Sequence, residues 1–224
     1  FGELREISTP QGDLLGMATD SVTFRAQRTM GLVCDVDTTT NPHTLSVYKI
    51  GTGVAEFLVP TFAAGDTVYV FYDNNPNRAQ DDEWHMGVIS TVGTADCDGD
   101  GSFTDQTLSI PQVSTWATAV DPDSVRQGAI VRGYDSYTYG LYTIDGEAFL
   151  GRKMTTASSP EPLVGPLLPN TGVEFAYMAP LGVATATATS VAQIQVILRY
   201  QSAARNAQGD LVSDSIVARV YPRN

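Results

Sequence analysis

The stretch YTYGLYTIDGEAFLGRK, residues 137–153, indicates the fold class of this chain. Asp145 and Gly146 lie between two runs that are rich in aromatic and β-branched residues. An Asp-Gly pair in that position is typical of a two-residue turn between antiparallel strands. We therefore expect the two runs to pair as a β-hairpin.

Other segments alternate apolar and polar residues with a period of two, which is typical of strands. Val22, Phe24 and Ala26 alternate with Thr23 and Arg25 in this way. The segment TVYVFY is apolar on both faces, a pattern typical of a central, covered strand. The segments that we predict as strands also include residues 44–50, 67–72, 194–200 and 214–221. The chain is therefore expected to be mainly β, with antiparallel sheets.

The domain organisation follows from length and from the first ten residues. Residues 1–10 (FGELREISTP) predict a short helix or the last turns of a longer one, which Pro10 ends. The fold class becomes α+β if that helix is present. Residues 11–224 are expected to form a single β-rich globular domain, because 224 residues can bury one large core.

Two segments of the second half differ in composition from the predicted strands. Residues 158–172 contain four prolines, which predict an extended, ordered crossing segment. Residues 184–190 (ATATATS) are small and of low complexity. We interpret them as a flexible loop, with an O-glycosylated patch or an edge strand as alternatives.

Charge and hydropathy exclude several classes of partner. The chain has 25 acidic and 13 basic residues, a net charge of −12. Such a chain repels nucleic acid and anionic lipid, so we expect neither as a partner. No stretch approaches the roughly 20 apolar residues of a membrane-spanning helix. An acidic surface favours divalent cations and keeps an exported protein soluble.

Cys34 and Cys97 are the two cysteines of the chain, and they are 63 residues apart. This spacing does not suit a metal knuckle. The pair can form one disulfide, which would indicate a compartment outside the cytosol, or the two thiols can be buried separately.

The stretch DCDGDGSFTDQT, residues 96–107, resembles a calcium loop. Asp96, Asp98 and Asp100 occupy positions 1, 3 and 5 of the D-x-D-x-D-G pattern, with glycine at position 6. Ser102 would offer its carbonyl oxygen at position 7. The closing glutamate is missing, and Asp105 is the expected substitute. We predict that these five residues bind Ca²⁺; the alternative is a solvated turn.

Weaker signals elsewhere give further hypotheses. Residues 73–84 hold a second acidic group, which we interpret as a polar hairpin loop and alternatively as another calcium loop. A cluster of tyrosines suggests cross-strand packing or a sugar-binding platform; it comprises Tyr134, Tyr137, Tyr139 and Tyr142. Neither histidine lies in a recognisable catalytic motif, and we expect that the protein is not an enzyme.

Several short motifs together carry a family resemblance. They are LREIS at residues 4–8, VTF at 22–24, Tyr142, Leu150 and Arg152 in the hairpin, and the terminal Arg223-Asn224. In this order they resemble the globular heads of bacterial prepilin-like proteins, namely minor type IV pilins and type II secretion pseudopilins. The family begins with an apolar stalk helix, whereas Phe1 is followed at once by polar residues.

The resemblance implies a function in assembly. It implies a pilin-like head in an extracellular or cell-surface filament or pseudopilus of a bacterium, with copies of itself or other pilin subunits as partners. Attachment to a membrane would come only through a stalk helix upstream of Phe1. The alternatives are a subunit of another surface fibre, in which residues 1–10 are donated to a neighbour, and a carbohydrate-binding adhesin module.

Overall fold

The computed structural model describes residues 4, 9, 12–37, 44–49, 61–72, 83–102, 104–111, 125, 127–205, 207–208 and 211–222. Within these ranges the regular structure is thirteen β-strands and two single-turn 3-10 helices. The strands are β1 (Leu14–Met17), β2 (Ser21–Asp37), β3 (Thr44–Lys49), β4 (Thr67–Tyr72), β5 (Glu83–Val88), β6 (Thr91–Ala95), β7 (Asp105–Ser109), β8 (Ile130–Ile144), β9 (Glu147–Met154), β10 (Glu161–Leu167), β11 (Val173–Met178), β12 (Gln193–Arg205) and β13 (Leu211–Val220).

The predicted fold class is confirmed, since the chain is mainly β and its described strand pairs are antiparallel. The predicted helix end at residues 1–10 lies outside the described residues, apart from Leu4 and Thr9. No described helix is both long enough and apolar enough to cross a membrane.

The described residues form two compact units, residues 1–26 with 136–224 and residues 27–135. Strands β2 and β8 contribute residues to both units. The division into two units does not separate two domains, because β2 and β8 run through both. The single domain expected over residues 11–224 therefore stays a prediction.

The first unit contains two sheets. One has the order β10-β9-β8-β2-β1, and the other has the order β11-β12-β13. Alternate residues of facing strands fill the core of this unit, as period-two patterning requires. The largest fully buried side chains of this core are Phe24, Phe175, Leu4, Leu150, Ile194 and Val22.

The second unit is a sheet with the order β6-β7-β3-β2-β8-β4-β5. Its β4 lies between β5 and β8, so the central position predicted for TVYVFY is confirmed. Val68, Val70 and Tyr72 are buried, whereas Tyr69 and Phe71 on the opposite face are half-buried. The core of this unit therefore covers one face of β4 fully and leaves the other partly open.

The predicted hairpin at residues 137–153 is confirmed. Strands β8 and β9 pair in continuous register up to Ile144 and Glu147. Asp145 and Gly146 form the turn, with φ angles of 52° and 85°. Positive φ at both central residues is the backbone of a type I′ turn, which matches the twist of the paired strands.

The two unusual segments of the second half are also described. The proline-rich segment contains the extended strand β10, which pairs with β9, and its Gly165–Pro166 peptide bond is cis. In the segment 184–190, Ala184 forms an isolated bridge with Met178, and a single 3-10 turn spans Ala188–Ser190. Residues 184–190 therefore form no strand apart from the single bridge at Ala184, and the edge-strand alternative is wrong.

Candidate functional site

The acidic stretch forms the tip of a β-hairpin in the second unit. Strands β6 and β7 pair antiparallel, and Ala95 and Asp105 are the last partners before the loop. Residues 96–104 connect the two strands. The loop therefore has strands on both sides, unlike a helix-flanked EF-hand.

Three of the predicted ligands come together at this tip. Carboxylate oxygens of Asp96, Asp98 and Asp100 all lie within 4.8 Å of one another. Asp96 is half-buried, and the other two are exposed. Three carboxylates at this spacing repel each other, and a divalent cation between them would offset that repulsion.

Two glycines allow the backbone to curl around Asp96. Gly99 and Gly101 have φ angles of 72° and 82°, in the region that other residues rarely adopt. Their N–H groups donate to Asp96, from Gly99 to Oδ1 at 2.8 Å and from Gly101 to Oδ2 at 2.9 Å. Both glycines of D-x-D-G-D-G thus aim donors at the first carboxylate.

The second and third carboxylates accept backbone hydrogen bonds as well. Asp100 N–H donates to Asp98 Oδ1 at 3.3 Å, and Ser102 N–H donates to Asp100 Oδ1 at 2.6 Å. The bond from Asp100 N–H lowers the pKa of Asp98, but desolvation and the neighbouring carboxyl groups of Asp96 and Asp100 outweigh it. The pKa of Asp98 is therefore raised above its ordinary value.

The remaining two predicted ligands are engaged in other contacts. Asp105 is 4% exposed, and its Oδ2 accepts a hydrogen bond from Cys97 N–H at 3.1 Å. The carbonyl oxygen of Ser102 accepts from Thr104 N–H at 2.8 Å. The structure does not group Asp105 with the three clustered carboxylates. A ligand role for Asp105 and Ser102 stays a prediction.

The two cysteines join this loop to β2. The sulfur atoms of Cys34 and Cys97 lie at disulfide-bonding distance, and their Cα atoms are 5.7 Å apart. Cys34 lies where the register of β2 against β3 shifts between Val33 and Asp35. A bulge of this kind redirects a side chain out of the regular alternation. The cysteine pair therefore anchors the acidic loop to the sheet.

Sequence patterns did not reveal the polar contact next to this loop. The side chain of Gln106, 9% exposed, bonds both backbone groups of Phe62. Phe62 N–H donates to Gln106 Oε1 at 2.8 Å, and Gln106 Nε2 donates to the Phe62 carbonyl at 3.0 Å. A buried amide pair of this kind fixes the segment at Phe62 beside β7. Only its alternation within β7 marks Gln106 in the sequence.

The predicted tyrosine cluster is divided. Tyr137 and Tyr139 are buried and pack on Phe24, with ring centroids 6.2 and 5.2 Å apart. Tyr142 is half-buried, and Tyr134 packs edge-on against another tyrosine of the sheet. Core packing, the first of the two interpretations, is confirmed for Tyr137 and Tyr139.

A second exposed surface lies on the half-open face of β4 and β5. Phe71 and Trp84 pack edge to face at 5.3 Å, and the Arg132 guanidinium lies 4.5 Å from the centre of the Trp84 ring. Met86 and Val88 continue this face along β5 and are exposed. The tilted rings form a ridged surface rather than a flat platform. The acidic group predicted at residues 73–84 lies outside the described residues, except for Glu83 and Trp84.

Comparison of the chain with protein-family models, with curated protein sequences and with solved structures found no match.

Proposed function

We propose that the chain is a structural subunit of an extracellular filament or pseudopilus, as its resemblance to prepilin-like heads implies. The observation that carries the proposal is the convergence of three features on one hairpin tip. The cysteine pair and the Asp105 contact with Cys97 hold the loop of residues 96–104 to the sheet, and a cation bound by the three clustered carboxylates would stiffen the loop itself. Such an arrangement suits a part that bears load outside the cell.

Calcium is the cofactor of this proposal. Ca²⁺ takes six to eight oxygen ligands, and Asp96, Asp98 and Asp100 supply carboxylates with the spacing that it requires. Waters complete such a site where the protein offers too few oxygens. The ion would act by binding the folded state and so stabilising it, without any role in catalysis.

The first residues pack against the first unit. Leu4 is fully buried in its core, and the Thr9 hydroxyl donates to the Val191 carbonyl at 2.8 Å. The helix-end hypothesis and the alternative in which residues 1–10 are donated to a neighbouring subunit both require such apolar and hydrogen-bonded contacts with a head.

Localisation of the protein on the cells that produce it tests the proposal. Immunogold labelling with antibodies against the purified chain should decorate thin surface filaments, or a periplasmic pseudopilus after its overproduction. Deletion of the gene should remove the label and shorten or abolish the filaments. A uniform label over the cell body, with filaments unchanged by the deletion, would contradict the proposal.

The carbohydrate-binding alternative predicts a different result. It requires a sugar platform, and the exposed Trp84 belongs to a face whose rings are tilted. Binding of the purified chain to a glycan array, lost on Trp84→Ala, would favour this alternative over the filament.

A further inference from the structure

Strand β13 (Leu211–Val220) forms an open edge of the three-stranded sheet. It pairs with β12 in unbroken register from Ile194 and Val220 to Gln201 and Ser213. No other described strand pairs with it. Since an antiparallel strand bonds its neighbour through alternate residues, the other residues of β13 direct their N–H and C=O groups away from the sheet.

The side chains of β13 are exposed on both faces. Ile216 is opposite Leu198, yet Leu198 is 5% exposed and Ile216 is 55% exposed. The apolar face that covers the core therefore extends past the core along β13. On the other face Val217 is 49% exposed. Another strand laid alongside would bury the flanks of these side chains against its own side chains on both faces.

Two other edges of the described sheets, β10 and β6, carry features that discourage such pairing. Strand β10 contains Pro162 and Pro166, and its register against β9 shifts twice. Strand β6 is only five residues long. Prolines, irregular register and short length discourage edge-to-edge pairing. Strand β13 has ten residues without proline, glycine or lysine, and its register is regular from Ser213 to Val220, with one shift between Leu211 and Ser213.

The charge of β13 indicates which partner fits. The strand carries one acid, Asp214, and one base, Arg219, so it is formally neutral in a chain of net charge −12. Asp214 already accepts a hydrogen bond from the Tyr200 hydroxyl at 3.2 Å. Two copies that meet along this strand avoid the repulsion that their acidic surfaces impose elsewhere. A basic partner would be drawn to those acidic surfaces instead.

We propose that β13 pairs antiparallel with β13 of a second copy, joining two three-stranded sheets into one of six strands. A two-fold axis perpendicular to the sheet places one residue opposite its own copy. The apolar residues nearest the centre of β13 are Ile216 and Val217, and the proposal places the axis at one of them. The inference names a surface for the assembly proposed above and rests on that proposal only for its cellular setting.

Sedimentation of the purified full chain, from micromolar to submillimolar concentration, tests the pairing. The unaltered chain should move from monomer to dimer as concentration rises. Val217→Asp should weaken the dimer at least about tenfold, because it sets two carboxylates close together across the axis. Val183→Asp is the matched control, since Val183 is exposed in a loop of the same unit. A chain that stays monomeric, or a dimer that Val217→Asp leaves unchanged, would overturn the proposal.

Cross-linking identifies the strand directly. Ile216→Cys and Val217→Cys are each oxidised and run on a non-reducing gel, with Val183→Cys as control. One of the two strand variants should form a covalent dimer more readily than the control. If neither does, the β13 pairing is wrong. The filament proposal is tested separately, by immunogold labelling. A dimer in solution without labelled filaments would contradict the filament proposal and leave the β13 pairing intact.

Discussion

The backbone N–H of Cys97 donates to the buried carboxylate of Asp105, while the sulfur of Cys97 reaches Cys34. One residue of the loop is therefore held from two sides, by β7 through Asp105 and by β2 through Cys34. Asp105 is expected from the sequence to be a calcium ligand, and in the structure its Oδ2 accepts the Cys97 bond. The two roles can be separated by experiment.

Replacement of Asp105 distinguishes a ligand from a positioning residue. Asp105→Asn keeps an oxygen that can accept from Cys97 N–H, so it should lower the free energy of unfolding by less than about 1 kcal/mol, whereas Asp105→Ala leaves that donor unpaired and should cost about 1–3 kcal/mol. Urea unfolding measures both. If Asp105 only positions the loop, calcium should stabilise the Asn variant as much as the unaltered chain. Loss of that increment in Asp105→Asn would show that Asp105 is a ligand.

Chelation tests the calcium site. Free Ca²⁺ at about 100 times its Kd adds about 2.7 kcal/mol to the folded state, or roughly 5–10 °C in melting temperature for a chain of this size. Calorimetry in Ca²⁺ and in EGTA measures the difference.

Asp98→Asn should abolish this difference in melting temperature. In EGTA the variant should be at least as stable as the unaltered chain, because one repelling charge is gone. Glu147→Gln, at an exposed acid that begins β9, should retain the difference. Coincident melting curves of the unaltered chain would refute calcium binding.

Reduction of the cysteine pair should destabilise the protein. The Cys34–Cys97 link closes a loop across a separation of 63 residues. The chain-entropy relation gives about 4 kcal/mol for a loop of that length, an upper value because strain and residual structure reduce it. Denaturant unfolding with and without a thiol reductant should show a loss of roughly 2–4 kcal/mol. The Cys34→Ser/Cys97→Ser variant should then be insensitive to reductant, and equal stability in both conditions for the unaltered chain would contradict the link.

The buried amide of Gln106 should contribute more to stability than the hydroxyl of its half-buried neighbour Thr107. Gln106→Ala leaves both backbone groups of Phe62 without their side-chain partner and should cost about 2–6 kcal/mol, since each buried unsatisfied group costs about 1–3 kcal/mol. Thr107→Ala removes only the exposed hydroxyl bond to the Thr94 carbonyl and is the control. Urea unfolding compares the two. Equal losses would mean that the Gln106 contact contributes little.

The turn of the β8–β9 hairpin should reject a side chain at its second position. Gly146 has φ of 85°, so Gly146→Ala should cost about 1–2 kcal/mol through left-handed strain. Asp145→Asn, at φ of 52°, should be neutral, because asparagine tolerates that conformation. Thermal melting measures both changes. A Gly146→Ala variant as stable as the unaltered chain would show that the turn relaxes at no cost.

Local features of this protein could be predicted because neighbouring residues encode them. The alternation around Phe24 predicts the strand β2, and Asp145-Gly146 predicts the turn between β8 and β9. Both predictions are possible because side-chain period and φ preference act within a few residues. The spacing of Asp96, Asp98 and Asp100 likewise brings three carboxylates together within one tight turn. These predictions did not depend on which strands meet.

Other features depend on residues that are distant in sequence. The bond between Gln106 and Phe62 spans 44 residues, and no local pattern pairs the two residues. The tyrosines likewise could not be assigned from the sequence, because sheet packing decides which of several similar residues are buried and which are exposed. Alternation gives the period of burial but not which face is covered.

The sequence by itself determined that this chain is built of antiparallel strands, that one hairpin turns at Asp145-Gly146, and that an acidic loop contains a repeated Asp spacing. Only the tertiary structure decided that Asp105 bonds Cys97 and that β13 is an open apolar edge. The physical reason is that turn and strand preferences are local energies. Edge position, burial and long-range hydrogen bonds instead depend on the order in which the strands pair.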